Sequence, residues 1–274
     1  MTIDRERLLA VAQSERVALG RTIQSTAPEA WDTTSRLDGW RLRDVVAHLA
    51  ASEGAAAAAF GSLPAAEIEE FLKEEQDLTI DAFNDWTVRK RADTQLRELA
   101  VEWGRNADAT LVRAAAIPED DWTSTRVSWL AGEIPAGSLL QSRVMEWWVH
   151  GEDIRAGADL EPRGEHWPVY CTNDLAIRTL PWALGLAGLQ FENRVVRFVL
   201  DGSGGGEWRQ GLAPRQTVDP KRPPDAVVEG RAVAFAQVAS RRVPADDYVG
   251  DGSLVLAGDD ALAFTVLKYS RAFP

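Results

Sequence analysis

The sequence predicts an α + α/β protein, with a four-helix bundle over residues 1–160 and a small α/β domain over residues 161–274. A chain of 274 residues is long for one core and comfortable for two. Its first part shows helical spacing of apolar residues with few strand signals. After about Leu160 it changes to short β-branched runs set between glycine- and proline-containing turns.

In the first part, Leu8, Leu9, Val11, Ala12, Val17, Leu19 and Ile23 recur every three to four positions and predict a helix from Arg5 to Ile23, broken by Pro28. The second helix runs from about Leu42 to Phe60, with Val45, Val46, Leu49 and Ala50 as its apolar stripe and His48 beside it. A short helix at about Ala66 to Lys73 precedes a third long one from Ile80 to about Ala116, which Pro118 closes. The fourth is expected from near Ser138 to Arg155, with Gly157 as its stop. Four long helices with short connections make a bundle.

Pro162, Gly164 and Pro168 mark a linker. Beyond it a helix is expected from about Val169 to Leu186, then a buried strand from Arg194 to Leu200 and a turn at Gly202 to Gly206. A partner strand at Trp208 to Leu212 and short strands at Ala226–Val228 and Leu254–Leu256 follow. Helices at Ala232–Ser240 and Ala261–Tyr269 complete an α/β domain. The glycine run is followed by neither Lys-Ser nor Lys-Thr, so it reads as a hairpin turn and not as a phosphate loop.

Thirty basic against 42 acidic side chains give a formal net charge of −12, which repels phosphate backbones and anionic lipid surfaces and argues against nucleic acid as a partner. No run approaches the ~20 apolar residues that span a bilayer, and the N-terminus lacks an apolar stretch of the signal-peptide kind. No membrane association and a cytoplasmic location are therefore expected. Cys171 is the one cysteine; it excludes an intramolecular disulfide and reads as a small core residue.

Of three histidines, two carry a pattern. Glu146 and His150 stand four apart in a helical segment, so both lie on one face, close enough to share an ion. A catalytic zinc site needs a third ligand from another element and keeps one position open, and His48 is the natural donor. Spacing leaves blander readings open: Glu146 solvated, His150 at a helix end, His48 a core histidine bonded to a carbonyl.

The stretches Gly39-Trp40-Arg41-Leu42-Arg43-Asp44-Val45-Val46-Ala47-His48-Leu49 and Arg143-Val144-Met145-Glu146-Trp147-Trp148-Val149-His150-Gly151-Glu152-Asp153 resemble the mycothiol-dependent maleylpyruvate isomerase family, within the broader DinB-like metal-binding bundles. The second part resembles that family's sterol-carrier-like C-terminal domain. The resemblance implies zinc, or another divalent metal, on His48, Glu146 and His150, with Asp153 as an acid that orients a ligand histidine or assists proton transfer. It also implies an arginine from a turn after a helix in the second domain, for which Arg241 in Ala239-Ser240-Arg241-Arg242 is the choice.

By the same resemblance the activity is that of a mycothiol-dependent S-transferase or isomerase, acting on a small electrophile, carboxylated or aromatic, through a metal-bound thiolate. Arg241 would bind a substrate carboxylate or enolate. The chain departs from the family at Ala82-Phe83-Asn84-Asp85, where maleylpyruvate isomerases proper carry an arginine before an asparagine. Phe83 cannot pair with a dicarboxylate; Arg89, Lys90 and Arg91 could compensate, or form a solvated basic face. Trp86, Trp147 and Trp148 would line a less polar pocket if they face inward, and otherwise pack the core. Two other readings fit the residues: a hydrolase using zinc-bound hydroxide with Glu152 or Asp153 as base, and a non-catalytic module that binds an apolar ligand in the second domain. A monomer or homodimer is expected.

Overall fold

The computed structural model describes residues 3–61, 63, 66–77, 79–129 and 132–272. They divide into two compact units, the first ending at Arg163 and the second beginning at Gly164. The first is helical and the second is a mixed α/β unit.

Helix α1 (Arg5–Ser25) starts where the Asp4 carboxylate accepts the Arg7 N–H at 2.7 Å, and a 3-10 turn at Pro28–Asp32 follows it. Helix α2 (Leu42–Phe60) opens on a capping box in which Asp44 accepts the Arg41 N–H at 2.9 Å. Short helices α3 (Ala66–Glu74) and α4 (Ile80–Lys90) precede α5 (Leu96–Ala116). The expected continuous helix over Ile80 to Ala116 is therefore two helices. No proline or glycine marks the break between them. The Arg43 guanidinium instead takes the carbonyls of Ala92 (3.3 Å) and Thr94 (2.6 Å), which an unbroken helix would have used internally, while Arg91 is buried between Glu67 and Glu102.

A hairpin that periodicity does not announce, β1 (Arg126–Trp129) paired antiparallel with β2 (Gly132–Pro135), leads into α6 (Ala136–Gly157). Val127 packs there with Ala59, Ala136 and Leu139. Gly157 is not the stop but the last helical residue, and its role is steric: a Cβ on it would stand 2.6 Å from Leu42 Cδ2. Helix α2 packs on α5 and α6, and α1 packs on the same two. Buried Ala55, Ala56, Ala57 and Ala59 let α2 approach its neighbours closely. Trp103 and Trp147 meet edge to face in the core, ring centroids 6.4 Å apart.

In the second unit the expected helix over Val169 to Leu186 is also two, α7 (His166–Arg178) and α8 (Leu180–Leu186). Pro181 lacks the N–H a continuous helix needs, and the Thr179 hydroxyl donates back to the Leu175 carbonyl at 2.8 Å. Cys171 is buried on α7. Strands β3 (Val195–Asp201), β4 (Gly206–Gly211), β5 (Ala226–Arg231) and β6 (Leu254–Gly258) form one sheet in the order β4-β3-β5-β6. The β3–β5 pair is parallel and the others antiparallel. Helices α9 (Ala232–Ala239), the unexpected short α10 (Ala245–Gly250) and α11 (Asp260–Tyr269) complete the unit, with α9 and α11 packed on the sheet. Phe198 of β3 meets Phe235 of α9 at 5.4 Å. No helix among the described residues is long and apolar enough to cross a membrane.

Candidate metal centre

Helix α6 carries Glu146 and His150 one turn apart on the face it turns to α2, and α2 supplies His48. Glu146 Oε2 lies 3.2 Å from His150 Nε2 and 3.3 Å from His48 Nε2, and one ligand atom from each residue lies within 4.8 Å of the others. Tetrahedral zinc with bonds of about 2.0–2.1 Å to imidazole nitrogen separates its ligand atoms by about 3.3 Å. The two separations from Glu146 Oε2 match that spacing, the three ligand atoms converge within 4.8 Å, and all three side chains are largely withdrawn from solvent.

Asp153, one helical turn after His150 and 1% exposed, accepts the His150 Nδ1–H at 3.0 Å. That bond fixes the ring and aims Nε2 at the cluster, the arrangement usual for a metal-ligating histidine. His48 Nδ1 is buried with no hydrogen-bond partner among the described residues. The half-buried Trp40 ring lies 5.3 Å from the His48 ring, and its indole N–H is tied to Asp85 of α4 at 2.9 Å.

The electrostatics suit a cation. Burial acts to raise the Glu146 carboxyl, but hydrogen bonds from His150 and His48, joined by the positive charges of His150 and Arg143, outweigh it and hold the group well below the usual carboxylate range. Burial likewise acts to lower His150, yet the carboxylates of Asp153 and Glu146 push it up. They favour positive charge at the place an ion would take. His48 is lowered, chiefly by burial, which keeps its imidazole neutral and able to ligate. Deeper in the unit, Glu53 is fully buried and raised by that burial; its two oxygens accept the Thr110 hydroxyl at 2.6 Å and the Trp147 indole N–H at 2.8 Å.

The structure therefore brings His48, Glu146, His150 and Asp153 together. Arg241 lies in the second unit, exposed in the turn after α9 with a left-handed φ of 59°. Arg89 pairs with Glu75, Lys90 with Glu70, and Arg91 with Glu67 and Glu102, so the three are engaged in ion pairs. Phe83 is buried against Phe71 and Trp86. The tryptophans hold structural positions: the Trp86 indole bonds Glu74, Trp147 bonds Glu53, and Trp148 bonds the Arg163 carbonyl. Trp40, Glu53 and Arg143 carry no assigned role in the sequence reading. Trp40 and Arg143 lie inside the two motif stretches, which is the one signal that pointed to them.

A family model described as the mycothiol maleylpyruvate isomerase N-terminal domain matches residues 12–155, more than half of the chain. The chain belongs to the mycothiol-dependent maleylpyruvate isomerase family. The match contains His48, Glu146, His150 and Asp153 and stops short of Arg241. Two crystal structures of mycothiol-dependent maleylpyruvate isomerase, one of them a histidine-to-alanine mutant, share the fold over 94% of this chain and 96% of theirs, each with a TM-score of 0.60 at 16% identity. No curated protein matches the chain in sequence. Membership of an isomerase family and the His-Glu-His cluster together support a metal-associated catalytic domain.

Proposed function

We propose that this chain is a zinc-dependent enzyme that uses mycothiol as cosubstrate to transfer to, or isomerise, a small electrophilic substrate. The observation that carries the reading is the triangle of two imidazole nitrogens and one carboxylate oxygen, found in a member of this family. His48, Glu146 and His150 would hold the metal. When bound, a divalent ion with one anionic and two neutral ligands retains positive charge, which favours the thiolate form of a thiol beside it.

The chain's own residues do the rest. Asp153 retains the proton on His150 Nδ1 and so keeps Nε2 facing the cluster. The Trp40 ring shields His48 on one side, and its tie to Asp85 holds it there. Arg241 stays in the reading as the second proposed functional residue, a planar guanidinium suited to bidentate recognition of a carboxylate. The finer description of the fold belongs to the same reading: residues 1–160 as a DinB-like four-helix bundle and 161–274 as a sterol-carrier-like domain.

The test is turnover of a panel of small electrophiles, maleylpyruvate included, by the zinc-loaded chain with and without mycothiol, following both thiol and substrate. Product formation that requires both zinc and mycothiol and is abolished in His150→Ala is expected. Turnover undiminished without thiol, or none with any electrophile, contradicts the proposal.

A further inference from the structure

Arg143 stands one turn ahead of Glu146 on α6, on the face that carries Glu146 and His150. It is 3% exposed. Its guanidinium lies 4.9 Å over the Trp129 ring, and its Nε and Nη2 each reach the Ser142 hydroxyl oxygen at 3.3 Å. Nη1 is buried with no hydrogen-bond partner among the described residues. Neighbouring carboxylates are committed elsewhere: Glu53 accepts from Thr110 and Trp147, and Glu146 Oε2 faces the two imidazoles.

A charged N–H without a partner in the interior is costly, so a fold that keeps one there has a use for it. One turn from Glu146 on the same helix face, the guanidinium thus keeps one donor edge unused among the described residues, and such an edge matches an oxygen of a carboxylate.

We propose that Arg143 is the anion-binding residue of the candidate metal centre, its Nη1 taking a carboxylate oxygen of the ligand held there. Arg143 is then the side chain that would favour a carboxylated ligand over a neutral one at this centre. The proposal rests on the metal-centre reading above and is independent of Arg241.

Cobalt(II) in place of zinc gives the centre a visible absorption band, with acetate as the anionic probe and imidazole as a neutral one. Wild type, Arg143→Gln and Arg143→Lys are each loaded with cobalt and titrated with both probes. Arg143→Gln is expected to take up cobalt and respond to imidazole like wild type while its acetate dissociation constant rises about tenfold to a hundredfold, the range for loss of a charge-assisted bond. Arg143→Lys keeps the charge without the fork and is expected to bind acetate severalfold more weakly than wild type; it decides the matter if Arg143→Gln does not fold. Acetate affinity equal to wild type in the folded variants would overturn the proposal. Loss of cobalt in folded Arg143→Gln would also overturn it, by making Arg143 a support for the ligand set. A wild type that takes up no cobalt defeats the metal-centre reading itself and this inference with it.

Discussion

Asp153 shows how much a single side chain contributes to the centre. Its carboxylate takes the only proton His150 carries on Nδ1, and both groups are buried, so water cannot replace the bond. Asp153→Asn retains the shape but loses the anionic acceptor, and zinc affinity is expected to fall about tenfold to a hundredfold. Competition with a chromophoric chelator measures it; unchanged affinity would show that Asp153 does not support the ligand. At this scale the sequence is legible where partners are local or share a motif. His150 lies four residues after Glu146 and Asp153 three after His150, so helical spacing alone puts all three near one face. Glu53 is invisible by the same reasoning. Its partners Thr110 and Trp147 lie 57 and 94 residues away, and an isolated glutamate in an alanine-rich helix reads as solvated. Trp40 meets Asp85 across 45 residues and is illegible for the same reason.

Among the elements, helices with a clear apolar stripe are read from sequence almost to the residue: α1 and α2 begin at Arg5 and Leu42, where a cap coincides with the start of the stripe. What periodicity misses are breaks made by tertiary contacts. No proline or glycine lies between Arg91 and Gln95, and the carbonyls freed there are taken by Arg43, reaching over from α2. Gly157 illustrates the reverse case, a residue type that signals a stop but is retained inside α6 because Leu42 occupies the space of a Cβ. Leu42 is fully buried, so Gly157→Ala is expected to destabilise the chain by about 1–3 kcal/mol, an overpacking cost. Urea unfolding measures this, and a neutral or stabilising result would mean that Gly157 acts only through its backbone. In the second unit, Asp225 ties the start of β3 to β5. It accepts the Val195 N–H at 2.8 Å and is paired with Arg194 and Arg222. Burial acts to raise this carboxyl, but those bonds and charges outweigh it and leave it lowered. A folded-state pKa below the unfolded value means that the stabilisation is complete above the unfolded value, about 3.9, and fades as pH falls through the folded one. The stability gap between wild type and Asp225→Asn is therefore expected at pH 7 and to shrink below about pH 4. A gap independent of pH would assign the effect to packing.

For the whole molecule, the change of texture near Leu160 identifies a helical part and a mixed part, because buried β-branched runs and helical stripes differ in period. The sheet order β4-β3-β5-β6 was not legible, since strand pairing depends on contacts between segments far apart in the chain. The hairpin β1–β2 escaped for another reason: strands of four residues are too short to show an alternation. Function stands on one feature of this architecture, two long helices that set His48 opposite Glu146 and His150. Metal content by elemental analysis, on wild type and His150→Ala purified with zinc supplied, tests that feature most directly. The account predicts about one zinc per chain in wild type, as a three-ligand site holds, and little in His150→Ala. Wild type without metal, or a His150→Ala variant that keeps it, would contradict the account.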